Sequence, residues 1–129
     1  MPIVRIEDPV QRTPETRQAV IETVYRCLRH VFKVSDEELQ ARYHTYAPQD
    51  FRSPGDCEAF IQVEITVFKG RTLETKRRLY QALSQALSEQ LHLPMEAVLI
   101  LLDEREGENW GMRGGIPACE IDFGYAIDI

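Results

Sequence analysis

The 129-residue sequence has no apolar run close to the roughly 20 residues that a membrane-spanning helix needs. It also has no basic and then apolar leader, so we expect a cytoplasmic protein without a membrane partner. Basic residues are outnumbered, since 15 Lys and Arg stand against 21 Asp and Glu and give a formal net charge of −6. This charge argues against a general nucleic-acid binder.

Cysteine is scarce, with only Cys27, Cys57 and Cys119 in the chain. Their odd number and wide spacing fit neither a disulfide framework nor a metal site, so we expect reduced thiols that serve packing. The three histidines show no ligand spacing, and we assign no metal to them. Hydrophobic residues make up 43% of the chain, which indicates a globular protein rather than a disordered one.

One motif occurs twice in the chain. The stretch VRIEDPVQRTPETR begins at Val4, and VEITVFKGRTLETK begins at Val63. Arg12 and Arg71 fall at the same place in the two copies, 59 residues apart, and we call residues with this offset equivalent positions. The apolar residues that follow keep the same register. Two copies at this spacing indicate one duplicated supersecondary unit rather than a long repeat array.

Each copy has the pattern of a strand, a helix and a second strand. The first strands alternate apolar and polar residues. Thr13, followed by Pro14, and Thr72 are predicted helix N-caps. The helices carry apolar residues at three- and four-residue spacing. The second strands are LQARYHTY and AVLILL, and the latter is apolar on both faces, which predicts a strand in the middle of a sheet.

A βαβ unit has parallel strands and a right-handed crossover. We therefore predict a two-layer α+β domain over residues 1–129, with a four-stranded sheet and both helices on one face. The repeats span 1–46 and 60–104, a loop covers 47–59, and 105–129 form a hairpin or arm that reaches a neighbouring subunit. The sheet face without helices is expected to be apolar and to need a partner, which predicts an oligomer.

Four motifs carry a resemblance to a known family: MPIVRI at the start, KGRT before the second helix, DE at the end of the last predicted strand, and NWGMRGG. Together they resemble the tautomerase superfamily, whose prototype is 4-oxalocrotonate tautomerase. The chain is similar to the longer, fused type related to malonate semialdehyde decarboxylase, in which two βαβ units are joined and three chains form a trimer. The resemblance implies a cofactor-free, homotrimeric isomerase that acts on a small carboxylate.

The resemblance also implies the catalytic residues. Met1 is removed in this family, and Pro2 then has a free secondary amine; with Met1 attached, its nitrogen is an amide and is not basic. Burial and a nearby guanidinium both lower the pKa of such an amine, which allows general-base catalysis near pH 7. Arg71 in KGRT is the implied catalytic partner, since its planar cation can bind a carboxylate through two hydrogen bonds.

Further residues are candidates for substrate binding. Lys69 stands where decarboxylase-like relatives carry another arginine, and Trp110 corresponds to a phenylalanine that forms an apolar wall in the prototype. Arg113 lies in the glycine-rich turn and is a third candidate. Arg12 is expected to face the region of Ile61, which has no free amine, and is left out of the catalytic set.

Two departures from the family pattern remain. The second arginine of the prototype corresponds to Gln40 in the first copy and Leu99 in the second, and neither can replace its charge. Glu38 aligns with an aspartate of the decarboxylases, so Gln40 and Glu38 complete the substrate-binding candidates. We predict keto–enol interconversion of a small 2-oxo acid by Pro2. Decarboxylation of a small β-keto acid and a non-catalytic trimeric binding protein are the alternatives.

Overall fold

The computed structural model describes residues 2–37, 39–55 and 57–129. The main elements are β1 (Ile3–Asp8), α1 (Pro14–Phe32), β2 (Gln40–Thr45), β3 (Ile61–Phe68), α2 (Leu73–Leu91) and β4 (Val98–Arg105). The strand order is β2-β1-β3-β4; β1 and β3 are antiparallel, and the other two neighbouring pairs are parallel. The two predicted βαβ units therefore meet along β1 and β3, and the predicted fold is confirmed.

Both helices begin at the predicted caps. The side chain of Thr13 accepts a hydrogen bond from the backbone N–H of Thr16, and that of Thr72 accepts one from Thr75. Pro14 occupies the first turn of α1, where its missing N–H costs nothing. None of the helices in the described part of the chain is long and apolar enough to cross a membrane.

The core lies between the sheet and the two helices. Its members are the inward residues of the strands and the apolar stripes of the helices, and the largest that are fully buried are Phe32, Ile6, Leu28, Ile61, Ile65, Leu79, Leu83, Leu87, Val4, Val20, Val24 and Val63. The alternation of residues in the strands places the apolar side chains on one face of the sheet, and the three-to-four spacing places those of the helices on one face of each helix. These faces pack against each other. The stripes predicted from the sequence are therefore confirmed as the core.

The opposite face of the sheet, which we call the open face, is not covered by the helices. The prediction of an apolar surface there was wrong for β1 and β3, because their residues on this face include Arg5, Glu7 and Glu64. Apolar exposure is concentrated on β4, where Leu99 is 46% and Leu101 50% exposed. The open face is thus largely polar, with an apolar strip along one edge.

The position of β4 also differs from the prediction. The segment AVLILL was expected in the middle of the sheet, but β4 is an edge strand and β1 and β3 are central. Apolar residues on both faces of a strand indicate that both faces become covered, and they do not reveal whether both backbone edges are paired.

The predicted connections are mostly irregular. Within the loop 47–59, the described residues include one 3₁₀ turn at Pro48–Asp50. The glycine-rich segment forms the predicted hairpin, with β5 (Gly111–Met112) antiparallel to β6 (Ile116–Pro117).

The last residues of the chain fold back on the chain itself. The ring of Phe123 packs against that of Phe68, with 5.3 Å between their centroids. A Cβ atom at Gly70 would lie 3.0 Å from the side chain of Ile127, so glycine permits a close approach there. These last residues therefore lie over the β3–α2 junction of their own chain, and the contact of the arm 105–129 with a neighbouring subunit stays a prediction.

Candidate active site

Pro2 is buried at the start of β1. Its carbonyl oxygen accepts a hydrogen bond from the backbone N–H of Gln40 at 3.4 Å, and the next residue, Ile3, is paired with Thr66 of β3. Because β3 is antiparallel to β1, the C-terminal end of β3 lies at the end of the sheet where Pro2 lies. Arg71 follows β3 by three residues. We call this the Pro2 end of the sheet, and it holds both predicted catalytic residues.

Arg71 is only 6% exposed. Its Nη1 donates a hydrogen bond to the carbonyl oxygen of Phe68 at 3.1 Å, and its Cζ lies 4.4 Å from the ring centroid of Phe32. Its Nε is buried and has no hydrogen-bond partner in the described part of the chain. Among the residues that the structure describes, no carboxylate forms an ion pair with this guanidinium.

The surroundings of Arg71 leave a positive charge poorly compensated. Burial lowers its pKa, while the charges of Tyr125 and Glu104 act in the opposite direction. Glu104 is itself bound by Lys76 at 2.6 Å. Arg71 also precedes the N-cap Thr72, where the helix dipole disfavours a cation. A buried guanidinium in this position is stabilised when an anion binds beside it.

A cavity of about 400 Å³ opens on the open face near the Pro2 end. Its walls comprise Ile3, Arg5, Thr66, Asp103, Arg105, Asn109 and Trp110. The ring of Trp110 meets that of Phe68 edge-on, with 4.8 Å between centroids. Its indole N–H is buried and has no hydrogen-bond partner within residues 2–37, 39–55 and 57–129. Trp110 and Ile3, which follows Pro2 in the chain, thus line the same cavity.

Two arginines of this cavity were missed by the sequence reasoning. Arg105 is held by Asp103, with 3.0 Å between Nη2 and Oδ2. Arg5 donates from Nη1 to the hydroxyl of Thr66 at 3.3 Å. The alternation of β1 places Arg5 on the same face as Ile3, and this was the available signal for its position.

Lys69 and Gln40 contact other side chains. The ammonium group of Lys69 lies 3.2 Å from the carboxylate of Glu106, and both side chains are more than half exposed. Gln40 is exposed, and its Oε1 accepts a hydrogen bond from Nη2 of Arg42 at 2.8 Å. Within the described ranges, no hydrogen bond or ion pair joins Lys69 or Gln40 to Arg71.

Arg113 lies in the turn between β5 and β6, with its Cζ 5.2 Å from the ring centroid of Phe123. Two positions named by the sequence analysis, Glu38 and Met1, lie outside the described residues. Within the described ranges, no group of three or more His, Cys, Asp or Glu side chains could hold a metal ion.

The position equivalent to Arg71 has a different environment. Arg12 lies at the opposite end of the sheet, and its Nε is 2.7 Å from Oδ2 of the fully buried Asp8. The hydroxyl of Tyr43 donates to the same oxygen, and the backbone N–H of Val10 donates to Oδ1 at 2.9 Å. Burial, followed by the hydrogen bond to Asp8, raises the pKa of Tyr43. Arg12 is therefore neutralised within the chain.

Comparisons with known sequences agree with this architecture. A family model described as tautomerase enzyme matches residues 40–113. A probable tautomerase of Ralstonia nicotianae is 35% identical over 52 residues, which are 40% of this chain and 74% of that protein. A 2-hydroxymuconate tautomerase of a Pseudomonas species is 33% identical over 58 residues, which are 45% of this chain and 90% of that protein.

Solved structures share the fold over almost the whole chain. A wild-type fused 4-OT, described as a symmetric trimer, matches with a TM-score of 0.82 and 23% identity, over 91% of this chain and 96% of that chain. A malonate semialdehyde decarboxylase inhibited by 3-bromopropiolate matches with a TM-score of 0.75 and 20% identity, over 92% of each chain. These structures establish the fold, and the sequence matches establish the family. The chain therefore belongs to the tautomerase enzyme family.

Proposed function

We propose that this chain is a cofactor-independent tautomerase that interconverts the keto and enol forms of a small 2-oxo acid. Pro2, freed by removal of Met1, is the general base, and Arg71 binds the substrate carboxylate. The observation that carries the proposal is the buried guanidinium of Arg71, which has no ion-pair partner among the described residues and lies at the Pro2 end of the sheet.

Arg71 has two roles in this proposal. Its guanidinium binds the carboxylate through charge-assisted hydrogen bonds, which are about twice as strong as neutral ones. Its positive charge also disfavours protonation of the nearby amine of Pro2, as does the burial of Pro2. The base is thereby kept neutral near pH 7, where it can accept a proton.

Proton transfer then needs one basic atom. In the ketonisation of an enol, the nitrogen of Pro2 takes the hydroxyl proton as the carbonyl forms, and the same nitrogen then gives that proton to the carbon that becomes the CH₂ group, which regenerates the neutral amine. Trp110 supplies an apolar wall that limits water beside this nitrogen. The further substrate-binding residues in this proposal are Lys69, Gln40, Glu38 and Arg113. When Lys69 binds the substrate, its ammonium group leaves Glu106 and contacts the substrate instead.

We also infer that the working form is a homotrimer. The similar fused 4-OT is described as a trimer. Among the residues with a described structure, no strand pairs with the outer backbone edge of β2 or of β4. The exposed Leu99 and Leu101 lie on β4. A neighbouring copy that packs against this edge removes the exposed apolar strip from water.

The experiment follows the ketonisation of phenylenolpyruvate by ultraviolet absorbance, on protein whose intact mass shows that Met1 is absent. Wild-type protein should be active, and Pro2→Ala should lose about 100-fold or more, the usual contribution of general acid–base catalysis. Undiminished activity of Pro2→Ala would refute the proposed base. Release of carbon dioxide from a β-keto acid, without ketonisation, would identify a decarboxylase instead. Inactivity in both assays would indicate a non-catalytic binding protein.

A further inference from the structure

Residues 121–129, which we call the tail, alternate as the residues of a strand do. In the sequence IDFGYAIDI, large apolar or aromatic side chains stand at every second position and are half-buried, and the residues between them are exposed. In the described part of the chain, however, the tail pairs with no strand. Its side chains therefore hold it in place, and their contacts show what the tail covers.

Before Arg71, the tail packs against the end of β3. The ring of Phe123 lies 5.3 Å from that of Phe68, measured between centroids. A side chain at Gly70 would meet Cγ2 of Ile127 at 3.0 Å, so the tail lies directly against the residue that precedes Arg71.

After Arg71, the tail lies over the start of α2. The hydroxyls of Thr72 and Thr75 both donate hydrogen bonds to the backbone oxygen of Ile129, and the bond from Thr72 is 3.2 Å long. The partial positive charge of a helix N-terminus favours an oxygen at this position. The tail thus contacts the chain on both sides of Arg71.

The first copy has no such cover. Thr13 and Thr16 are the positions equivalent to Thr72 and Thr75, and in the described residues their hydroxyls bond to each other and to the backbone of Thr16 but to no distant segment. Thr16 is half-buried, whereas Thr75 is only 6% exposed. The tail therefore covers the copy whose arginine has no ion pair among the described residues.

In this arrangement a ligand has little access to Arg71. A carboxylate must come within about 3 Å of the guanidinium to accept its hydrogen bonds, and the whole residue is buried. Phe32, on one side of the guanidinium, belongs to the core. Tyr125 of the tail lies close enough for its charge to oppose the effect of burial on the pKa of Arg71. Because the tail has no strand pairing in the described residues, it is the cover that can move at the smallest cost.

We propose that the tail is an autoinhibitory lid, which is closed over Arg71 in this structure and opens before a substrate carboxylate binds. This inference rests on the proposed function, in which Arg71 binds that carboxylate. The apparent affinity for a carboxylate is then the intrinsic affinity multiplied by the fraction of protein with an open lid. Changes that weaken the contacts of the tail should therefore strengthen binding.

Two variants loosen the lid and leave Arg71 unchanged. Ile127→Ser removes the apolar contact at Gly70, and Thr75→Val removes a hydroxyl donor to Ile129 and keeps a side chain of similar shape. Phenylglyoxal modifies guanidinium groups that it can reach, and peptide mass spectrometry on the full chain reports the rate at Arg71. Both variants should be labelled there about 2-fold to 10-fold faster than wild type, the usual value of one neutral hydrogen bond.

Binding gives the second readout. Calorimetric titration with 2-oxohexanoate, on protein without Met1, should show an apparent affinity that is tighter by the same factor in both variants. A lid that closes over bound substrate would give weaker binding when loosened, and this result would overturn the inference. Unchanged affinity, or labelling of Arg71 at the wild-type rate in both variants, would also overturn it.

Thr16→Val is the matched control. It removes the equivalent hydroxyl from the copy that the tail does not cover, so the labelling of Arg71 and the affinity should both stay as in wild type. Circular dichroism should show that all three variants are folded. An equal effect of Thr16→Val would attribute the change to a general loosening of the fold and would contradict the lid.

These outcomes are separable from those of the proposed function. A protein that ketonises phenylenolpyruvate, and whose loosened variants behave as wild type, keeps the proposed function and loses the lid. A wild-type protein that neither ketonises phenylenolpyruvate nor binds 2-oxohexanoate loses the proposed function, and the labelling rate at Arg71 then decides whether the tail is a lid.

Discussion

Arg12 and Arg71 stand in the same local sequence, RTxET, immediately before a helix with a threonine cap, and their environments are nevertheless opposite. Arg12 is bound to the buried carboxylate of Asp8. Arg71 is buried against Phe32 with no ion pair in the described residues. Local sequence therefore determines the backbone around both arginines, and more distant residues determine what each cation can bind.

The difference comes from two substitutions between the copies. The position equivalent to Asp8 is Val67, and the position equivalent to Tyr43 is Leu102. Val67 has no carboxylate that could accept a hydrogen bond, and Leu102 has no hydroxyl that could donate one. Both positions lie on the side of the sheet that faces the helices. The first copy thus contains an internal ion pair, and the second contains a buried guanidinium for which the described residues provide no ion pair.

The largest expected contrast lies between the two strand starts. Pro2→Ala should lower the ketonisation rate by about 100-fold to 10,000-fold, because a primary amine replaces the ring-held secondary amine that serves as the base. Ile61→Ala, at the equivalent position, should lower the free energy of unfolding by about 2–5 kcal/mol, because a fully buried side chain is truncated. Its kcat should stay near that of wild type. Rate measurements and urea titrations of both variants check this, and equal rate losses would contradict it.

Substitutions of the two arginines should likewise differ in whether they change stability or activity. Arg12→Gln should cost about 3–5 kcal/mol of stability, because it leaves the carboxylate of Asp8 buried and unpaired. Arg71→Gln should keep or raise the stability while kcat/KM falls by about 100-fold, the value of two charge-assisted hydrogen bonds. Denaturant unfolding and steady-state kinetics give both quantities. If Arg71→Gln lowers the stability and leaves the activity normal, our interpretation of Arg71 is wrong.

A carboxylate introduced beside Arg71 should give this arginine the kind of ion pair that Arg12 forms in the first copy. Val67→Asp places the equivalent of Asp8 within the second unit and should pair with Arg71. Carboxylate binding should then weaken by about 10-fold or more, because the cation is already neutralised. Val67→Asn is the control, since it has nearly the same shape without the charge. Equal affinities of the two variants would show that Arg71 does not bind the substrate.

The smallest expected effect concerns Tyr43. Its pKa is raised by burial and by the hydrogen bond to Asp8, so the folded state favours the neutral hydroxyl. That stabilisation is complete below the ordinary pKa of 10.0 and is lost as the pH rises above it. Tyr43→Phe should therefore cost about 1–3 kcal/mol at pH 7, and the gap to wild type should narrow above pH 10. Unfolding curves across this range test the sign.

Much of this fold was predictable because its signals are local. Thr13 and Thr72 cap the helices where the sequence indicated, and the apolar stripes form the core. The resemblance of MPIVRI and KGRT to one family brought Pro2 and Arg71 into one hypothesis, and the 59-residue offset paired Arg71 with Arg12. Repetition strengthens such predictions, because the same weak signal occurs twice in one chain.

Other features depend on contacts between distant segments. The edge position of β4 could not be read from strand patterns, which give alternation and not pairing. The polar open face did have a signal, since the first strands alternate apolar and polar residues. Arg5 was missed because its cavity is built from β1, β3, β4 and the segment around Trp110. The ion pair of Arg12 had a visible signal, since Asp8 and Val67 differ at equivalent positions, and it was not used.

The central claim is that one equivalent arginine binds a carboxylate and the other does not. Calorimetric titration with 2-oxohexanoate tests it directly in wild type, Arg71→Gln and Arg12→Gln, each with Met1 removed. We expect one site per chain in wild type and in folded Arg12→Gln, and binding that is weaker by about 100-fold in Arg71→Gln. Wild-type affinity in Arg71→Gln, or a loss of affinity only in Arg12→Gln, would contradict the account.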